Sequence, residues 1–122
     1  MASARTSQSI MALHIASDLF VRDIHAGVEQ WKLITPHELI WQSADGDIGW
    51  SFSDNYIKRT TGLYDKGWTN KITSIVAAGV AKVTFTSKKA QDHIVGVEFV
   101  MEPKAQKTPV ICFVAIKPKE KT

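Results

Sequence analysis

Cysteine is almost absent from this chain, which has one, Cys112, among 122 residues. A single thiol forms neither an intramolecular disulfide nor a cysteine-rich zinc site, so stability must come from packing. Ile111 and Phe113 flank Cys112 in an apolar run, where we expect a strand covered on both faces and a buried, unreactive thiol. The sequence also has no G-x-S-x-G elbow, no phosphate-binding glycine loop and no dinucleotide fingerprint. These absences argue against an enzyme.

Long apolar runs are also missing. The most apolar stretch, residues 72–80, is short and is interrupted by polar residues and a glycine, so it does not reach the length of a membrane span. The apolar segment after residues 1–9 contains Asp18 and Arg22, whereas a cleavable signal peptide needs a cleaner apolar stretch. We therefore expect no signal peptide, no membrane association, and a location that is cytoplasmic or secreted without a leader.

The excess of positive charge is small. Fifteen lysines and arginines against twelve aspartates and glutamates give a net charge of +3, and much of the excess lies in a basic tail, residues 117–122. Nucleic-acid-binding proteins carry a denser basic patch, so we expect no nucleic-acid partner. The four histidines lack the close spacing of a metal site on one element. We expect no metal site.

Length and composition fit a single domain over residues 1–122. Apolar residues recur at helical spacing in residues 9–20, which predicts a short N-terminal helix. A strand over residues 13–15 paired with one over residues 19–24 is the alternative, and we favour a helix followed by a strand. Over residues 21–116, β-like runs alternate with turns about every ten residues, which is typical of a mainly β, immunoglobulin- or fibronectin-III-like β-sandwich.

Individual strands follow from turn chemistry and alternation. Asp45-Gly46 supplies the left-handed backbone of a tight turn, which predicts a hairpin between residues 39–41 and 48–52. Residues 70–81 fit either a helical face or a bulged strand, and we interpret them as strand. The last two strands, residues 94–101 and 110–116, are apolar and carry aromatic residues, which suits the centre of a sheet.

The apolar face of the predicted helix is broad. A sandwich whose core is already filled cannot bury such a face, so a second copy of the chain is expected to cover it. We therefore predict a homodimer whose interface contains Leu13, Ile15, Leu19 and Phe20.

Tryptophan is unusually frequent, with four residues. Flat aromatic faces stack on the C–H groups of sugars, and neighbouring polar groups bind the hydroxyls. Trp50, Tyr64, Asp65 and Trp68 lie in or beside predicted turns, which predicts a glycan site with the Trp68 ring exposed at a loop edge. For every tryptophan the alternative to a surface site is a place in the core. We prefer the core for Trp31 and Trp41, and we weigh the core and the surface equally for Trp50 and Trp68.

Three local patterns resemble fungal immunomodulatory proteins. The chain has N-Y-I at residues 55–57 followed by L-x-D-K-x-W-x-x-K-I at 63–72, V-E-F-V-M-E-P at 97–103, and L-H-I-A at 13–16 with Asp18. The first is similar to the family's Tyr-Ile pair and following turn, the second to its penultimate strand, and the third to its N-terminal helix. The resemblance implies a dimerisation helix on a fibronectin-III-like sandwich, no cofactor, and binding to glycans on animal cell surfaces.

Together these features predict a non-enzymatic, lectin-like and immunomodulatory protein that binds glycans or cell surfaces as a dimer. Two alternatives come from other classes: a self-associating structural or assembly protein, and a small membrane-active β-sandwich cytolysin. An enzyme with a site assembled from His14, His25 and an aspartate is a further alternative.

Overall fold

The structure is a computed structural model that describes residues 2–104 and 108–116 and, within the helix, side chains from residue 10 onward. The protein is mainly β, with an N-terminal helix. Across these residues the elements are α1 (Ala2–His25), β1 (Gln30–Thr35), β2 (Glu38–Ser43), β3 (Gly46–Ser53), β4 (Tyr56–Tyr64), β5 (Trp68–Ala77), β6 (Val80–Ala90), β7 (His93–Pro103) and β8 (Val110–Ala115).

The strands form two antiparallel sheets in which neighbours in sequence are neighbours in space. In the described residues one sheet has the order β1-β2-β3-β4-β5 and the other β6-β7-β8. The predicted hairpin is confirmed: Leu39 pairs with Trp50, Ser43 pairs with Gly46, and Gly46 has a φ of +129°. The interpretation of residues 70–81 as strand is confirmed for most of that segment, since β5 ends at Ala77.

The helix α1 packs between the two sheets. Phe20 is fully buried, and its ring centroid lies 5.2 Å from that of Trp50 and 6.1 Å from that of Trp41 in the five-stranded sheet. On the other side it lies 4.9 Å from Phe99 and 6.0 Å from Phe85 in the three-stranded sheet. The arrangement is therefore sandwich-like, with one hydrophobic core to which both sheets and the helix contribute.

The helix is longer than expected, and the predicted strand after residue 20 is wrong. Leu13, Ala16, Phe20 and Ile24 are all buried in the core. Their spacing of three and four residues keeps them on one helical face, so continuing the helix to His25 buries Ile24 as well. The expected boundary between a helix over residues 9–20 and strands from residue 21 is corrected accordingly. The tail of residues 117–122 lies outside the described residues.

Two of the four residues predicted for a dimer interface on α1 are buried within a single chain. Leu13 and Phe20 are 1% and 0% exposed within a single chain, and Leu19 is partly buried against the same core. Ile15 remains exposed at 56%. The prediction assumed that the sheets fill their own core, whereas the helix supplies part of that core. Leu13 and Phe20 therefore cannot contact a second copy.

The expectation that β8 lies at the centre of a sheet and is covered on both faces is also wrong. It is an outer strand, and Ile111 and Phe113 are 61% and 55% exposed. Val114 and Cys112 point the other way, toward the core. The Cys112 thiol is half-buried, with Sγ 4.0 Å from the carbonyl oxygen of Ser17. Burial raises its pKa; the contact with Ser17 acts in the opposite direction.

No helix among the described residues combines the length and apolarity needed to cross a bilayer.

Candidate functional site

Trp50 is part of the core and not of a surface site. It is 0% exposed, and its indole Nε1 donates a hydrogen bond to Asp23 Oδ2 at 2.8 Å. A ring without accessible surface cannot stack on a sugar, so the prediction that Trp50 binds a glycan is wrong. The cause is strand alternation, because Trp50 shares a face with Ile48, which packs into the same core.

The hairpin between β4 and β5 brings the other three predicted residues together. Tyr64 pairs with Trp68 across the turn, and their ring centroids lie 5.3 Å apart at an interplanar angle of 63°. The Asp65 amide donates to the carbonyl oxygen of Gly67 at 2.9 Å, and Lys66 adopts a φ of +61°, which closes a tight three-residue turn. Both rings are partly exposed, and Asp65 is exposed beside them.

The Trp68 ring lies across the outer face of the five-stranded sheet instead of standing free at a loop edge. Leu39 and Trp41 point into the core, so Ile40 and its register partner Gly49 point to the opposite face. A Cβ placed on Gly49 would lie 2.7 Å from Cζ2 of Trp68. The indole therefore rests on the bare backbone of Gly49, beside Ile40, which is 1% exposed. The expectation of a freely exposed ring is corrected to a ring that is fixed in place and partly exposed.

A buried carboxylate fixes the backbone of this hairpin. Asp47, 3% exposed, accepts a hydrogen bond from the Tyr64 amide at 2.7 Å through Oδ2. The same oxygen lies 2.7 Å from Nζ of Lys32, and this ammonium group also donates to the Tyr64 carbonyl oxygen at 2.9 Å. Both backbone groups of Tyr64 are thus held by side chains from two other strands. The sequence analysis did not identify Asp47, whose partners lie 15 and 17 residues away along the chain.

A cavity of about 460 Å³ borders the hairpin. It is lined by the end of α1, the β2–β3 hairpin and β4, and Asp47 belongs both to its wall and to the support of Tyr64. Its volume lies in the range typical of small-ligand sites. Ser43, Asp45 and Thr61 contribute hydroxyl and carboxylate groups to the lining.

The cationic wall of the cavity is Arg59. Its Nε and Nη2 donate to the two carboxylate oxygens of Asp23 at 2.6 and 2.9 Å, and this pairing raises the pKa of Arg59 further above its ordinary value, although burial acts in the opposite direction. Among the described residues, the N–H groups of Arg59 that point away from Asp23 have no partner. The Asp45 carboxylate is exposed. The cavity therefore offers both donors and acceptors, as a polyhydroxylated ligand requires.

Metal binding is not indicated in the part of the chain that the structure describes, where no three side chains among His, Cys, Asp and Glu lie close enough to hold an ion. His37 instead uses Nδ1 in a 3.0 Å hydrogen bond with the carbonyl oxygen of Val83.

Comparison with known proteins finds no match, neither to a family model nor to a curated protein sequence.

Proposed function

We propose that this protein is a non-enzymatic, lectin-like binding protein that holds a glycan at Tyr64, Asp65 and Trp68. The observation that carries the proposal is the pair of partly exposed rings 5.3 Å apart on one hairpin, with an exposed carboxylate between them in sequence. Lys32 and Asp47 hold this hairpin, so the rings need little ordering when a ligand arrives.

The chemistry of the surface suits a sugar. The C–H groups of a pyranose ring pack on the partly exposed aromatic surface of Trp68, and Asp65 accepts hydrogen bonds from neighbouring hydroxyls. The cavity beside Asp47 is lined by none of the three residues Tyr64, Asp65 and Trp68 and plays no part in this proposal.

The finer parts of the assignment come from the resemblance to fungal immunomodulatory proteins. It supports a glycan on an animal cell surface as the partner, an immunomodulatory role and a fungal origin. The same resemblance implies an immunoglobulin- or fibronectin-III-like sandwich, with which the described residues share the two antiparallel sheets. The sequential order of the strands differs from the Greek-key connections of that fold.

A glycan array followed by calorimetric titration of the best ligand tests the proposal. Trp68→Ala and Tyr64→Ala should each weaken binding about tenfold or more, since an aromatic contact of about 1.4 kcal/mol corresponds to a factor of ten. Tyr56→Ala is the matched control, because Tyr56 is a surface ring, 37% exposed, but begins β4 at the opposite end from the site. Absence of any glycan ligand, or equal loss in Tyr56→Ala and Trp68→Ala, would contradict the proposal.

A second candidate function, self-association into an assembly, is favoured by a different observation, the exposed apolar residues of β8.

A further inference from the structure

Open edges of a sheet invite pairing with another chain, and most edges of this protein carry features that discourage it. In the described residues the outer strands are β1, β5, β6 and β8. Lys32 sits at a break in the register of β1, and β5 carries Lys71 and two register breaks. β6 has two register breaks and three lysines, Lys82, Lys88 and Lys89. Charges and bulges of this kind oppose edge-to-edge pairing.

The edge formed by β8 carries neither feature. Its sequence is V-I-C-F-V-A, without a charge, and its pairing with β7 runs without a break from Met101↔Val110 to Gly96↔Ala115. Ile111 and Phe113 are exposed on its outer face. A regular, uncharged and apolar edge strand is a site that soluble proteins cover.

The backbone of β8 is also oriented for pairing. The amide of Ile116 donates to the carbonyl oxygen of Val95 at 2.9 Å. This hydrogen bond identifies the residues of β8 whose backbone groups face β7. Because this direction alternates along an antiparallel strand, the N–H and C=O groups of Ile111, Phe113 and Ala115 point to the open side. Within the part of the chain that the structure describes, the backbone groups without a partner thus belong to the same residues of β8 as the exposed apolar side chains.

We propose that β8 pairs antiparallel with β8 of a second copy of this chain, which joins two three-stranded sheets into one six-stranded sheet. A two-fold axis at Cys112 places Ile111 opposite Phe113 of the second copy, and the symmetry repeats this contact. No like charges meet, because β8 has none. The same self-pairing of β6 would bring its lysines together.

This interface replaces the predicted contact through Leu13 and Phe20, both of which are buried. It does not rest on glycan binding, because the hairpin of Tyr64 and Trp68 belongs to the other sheet. Failure of either proposal therefore leaves the other intact.

Sedimentation velocity of the full chain over a wide concentration range tests the inference. The wild type should show reversible formation of a species with twice the chain mass of 13.5 kDa. Ile111→Lys should weaken dimerisation about a hundredfold or more, because two isoleucines leave the interface and two lysines enter it. Ile72→Lys is the matched control: Ile72 is 70% exposed on the outer strand β5 and should leave the dimer unchanged.

Hydrogen exchange at single amides distinguishes this pairing from other dimers. In the wild-type dimer the amides of Ile111 and Phe113 should be protected, and in Ile111→Lys they should exchange rapidly while those of Cys112 and Val114 stay protected. Retained protection at Cys112 also shows that Ile111→Lys is folded. If Ile111→Lys does not fold, Ala115→Lys, at another exposed position of β8, replaces it in the same experiment. A monomeric wild type, a growing series of larger species, a dimer lost only in Ile72→Lys, or rapid exchange at Phe113 in the dimer would each overturn the proposal.

Discussion

Replacing Asp23 with alanine tests how the helix is joined to the five-stranded sheet. Asp23 is 5% exposed and accepts three hydrogen bonds, two from Arg59 and one from Trp50. It lies in the last turn of α1, where the helix dipole disfavours a negative charge, so these donors must stabilise it. Removing the carboxylate therefore leaves both partners without their acceptor.

The magnitude follows from what is left behind. The buried indole N–H of Trp50 loses its partner, which costs about 1–3 kcal/mol. The Arg59 side chain is 28% exposed, so water replaces part of what it loses, and the total should be about 3–5 kcal/mol. For a chain of this size that loss should lower the melting temperature by about 10–20 °C.

Thermal unfolding followed by circular dichroism measures this effect. Asp18→Ala is the control, because Asp18 lies on the same helix but is exposed. In an Arg59→Met background, Asp23→Ala should cost less than in the wild type, since one of the two orphaned groups is gone. A melting temperature for Asp23→Ala that matches Asp18→Ala would refute this account of the ion pair.

Three further predictions use other contacts. Gly49→Ala should displace the Trp68 ring, because the new Cβ would lie 2.7 Å from Cζ2 of that ring. Glycan affinity should then fall about tenfold although Gly49 touches no ligand, and an unchanged affinity in calorimetric titration would contradict this. Burial raises the pKa of the Cys112 thiol, so labelling with a thiol reagent should be slower in the folded than in the urea-unfolded chain and should accelerate as pH rises; equal labelling rates in the two states would refute the assignment. By the same linkage, the stability of the protein should fall as pH rises above the ordinary thiol pKa. Phe20→Ala should lower the free energy of unfolding measured in urea by about 3–5 kcal/mol, whereas Met11→Ala, at a 63% exposed position on the same helix, should change it by less than about 0.5 kcal/mol. Similar losses in both variants would be inconsistent with a core role for Phe20.

Local chemistry determined which parts of the fold could be predicted from sequence. The β2–β3 hairpin was accessible because Asp45-Gly46 constrains the backbone within two residues. The end of α1 was ambiguous, because Phe20 and Ile24 are separated by four residues and so share a face in a strand as well as in a helix. Alternation in β8 showed that both faces are apolar, but no feature of one strand shows how many neighbours cover it.

The candidate site divides in the same way. Tyr64, Asp65 and Trp68 are close in sequence and share a tight turn, so their meeting could be predicted. The supports of the site, Lys32 and Asp47, lie on other strands, and their pairing depends on register across the whole sheet. Long-range partners of this kind carry no local signal.

The position of Phe20 between the sheets also determines the order in which the protein can fold. Each sheet is a meander, so its hairpins form from neighbouring segments, which favours rapid folding. The helix is synthesised before every strand, yet Phe20 packs on Phe85 and Phe99 in the sheet that is synthesised last. During synthesis the contacts of Phe20 with Trp41 and Trp50 can therefore form first, and its contact with Phe99 can form only after β7 has emerged.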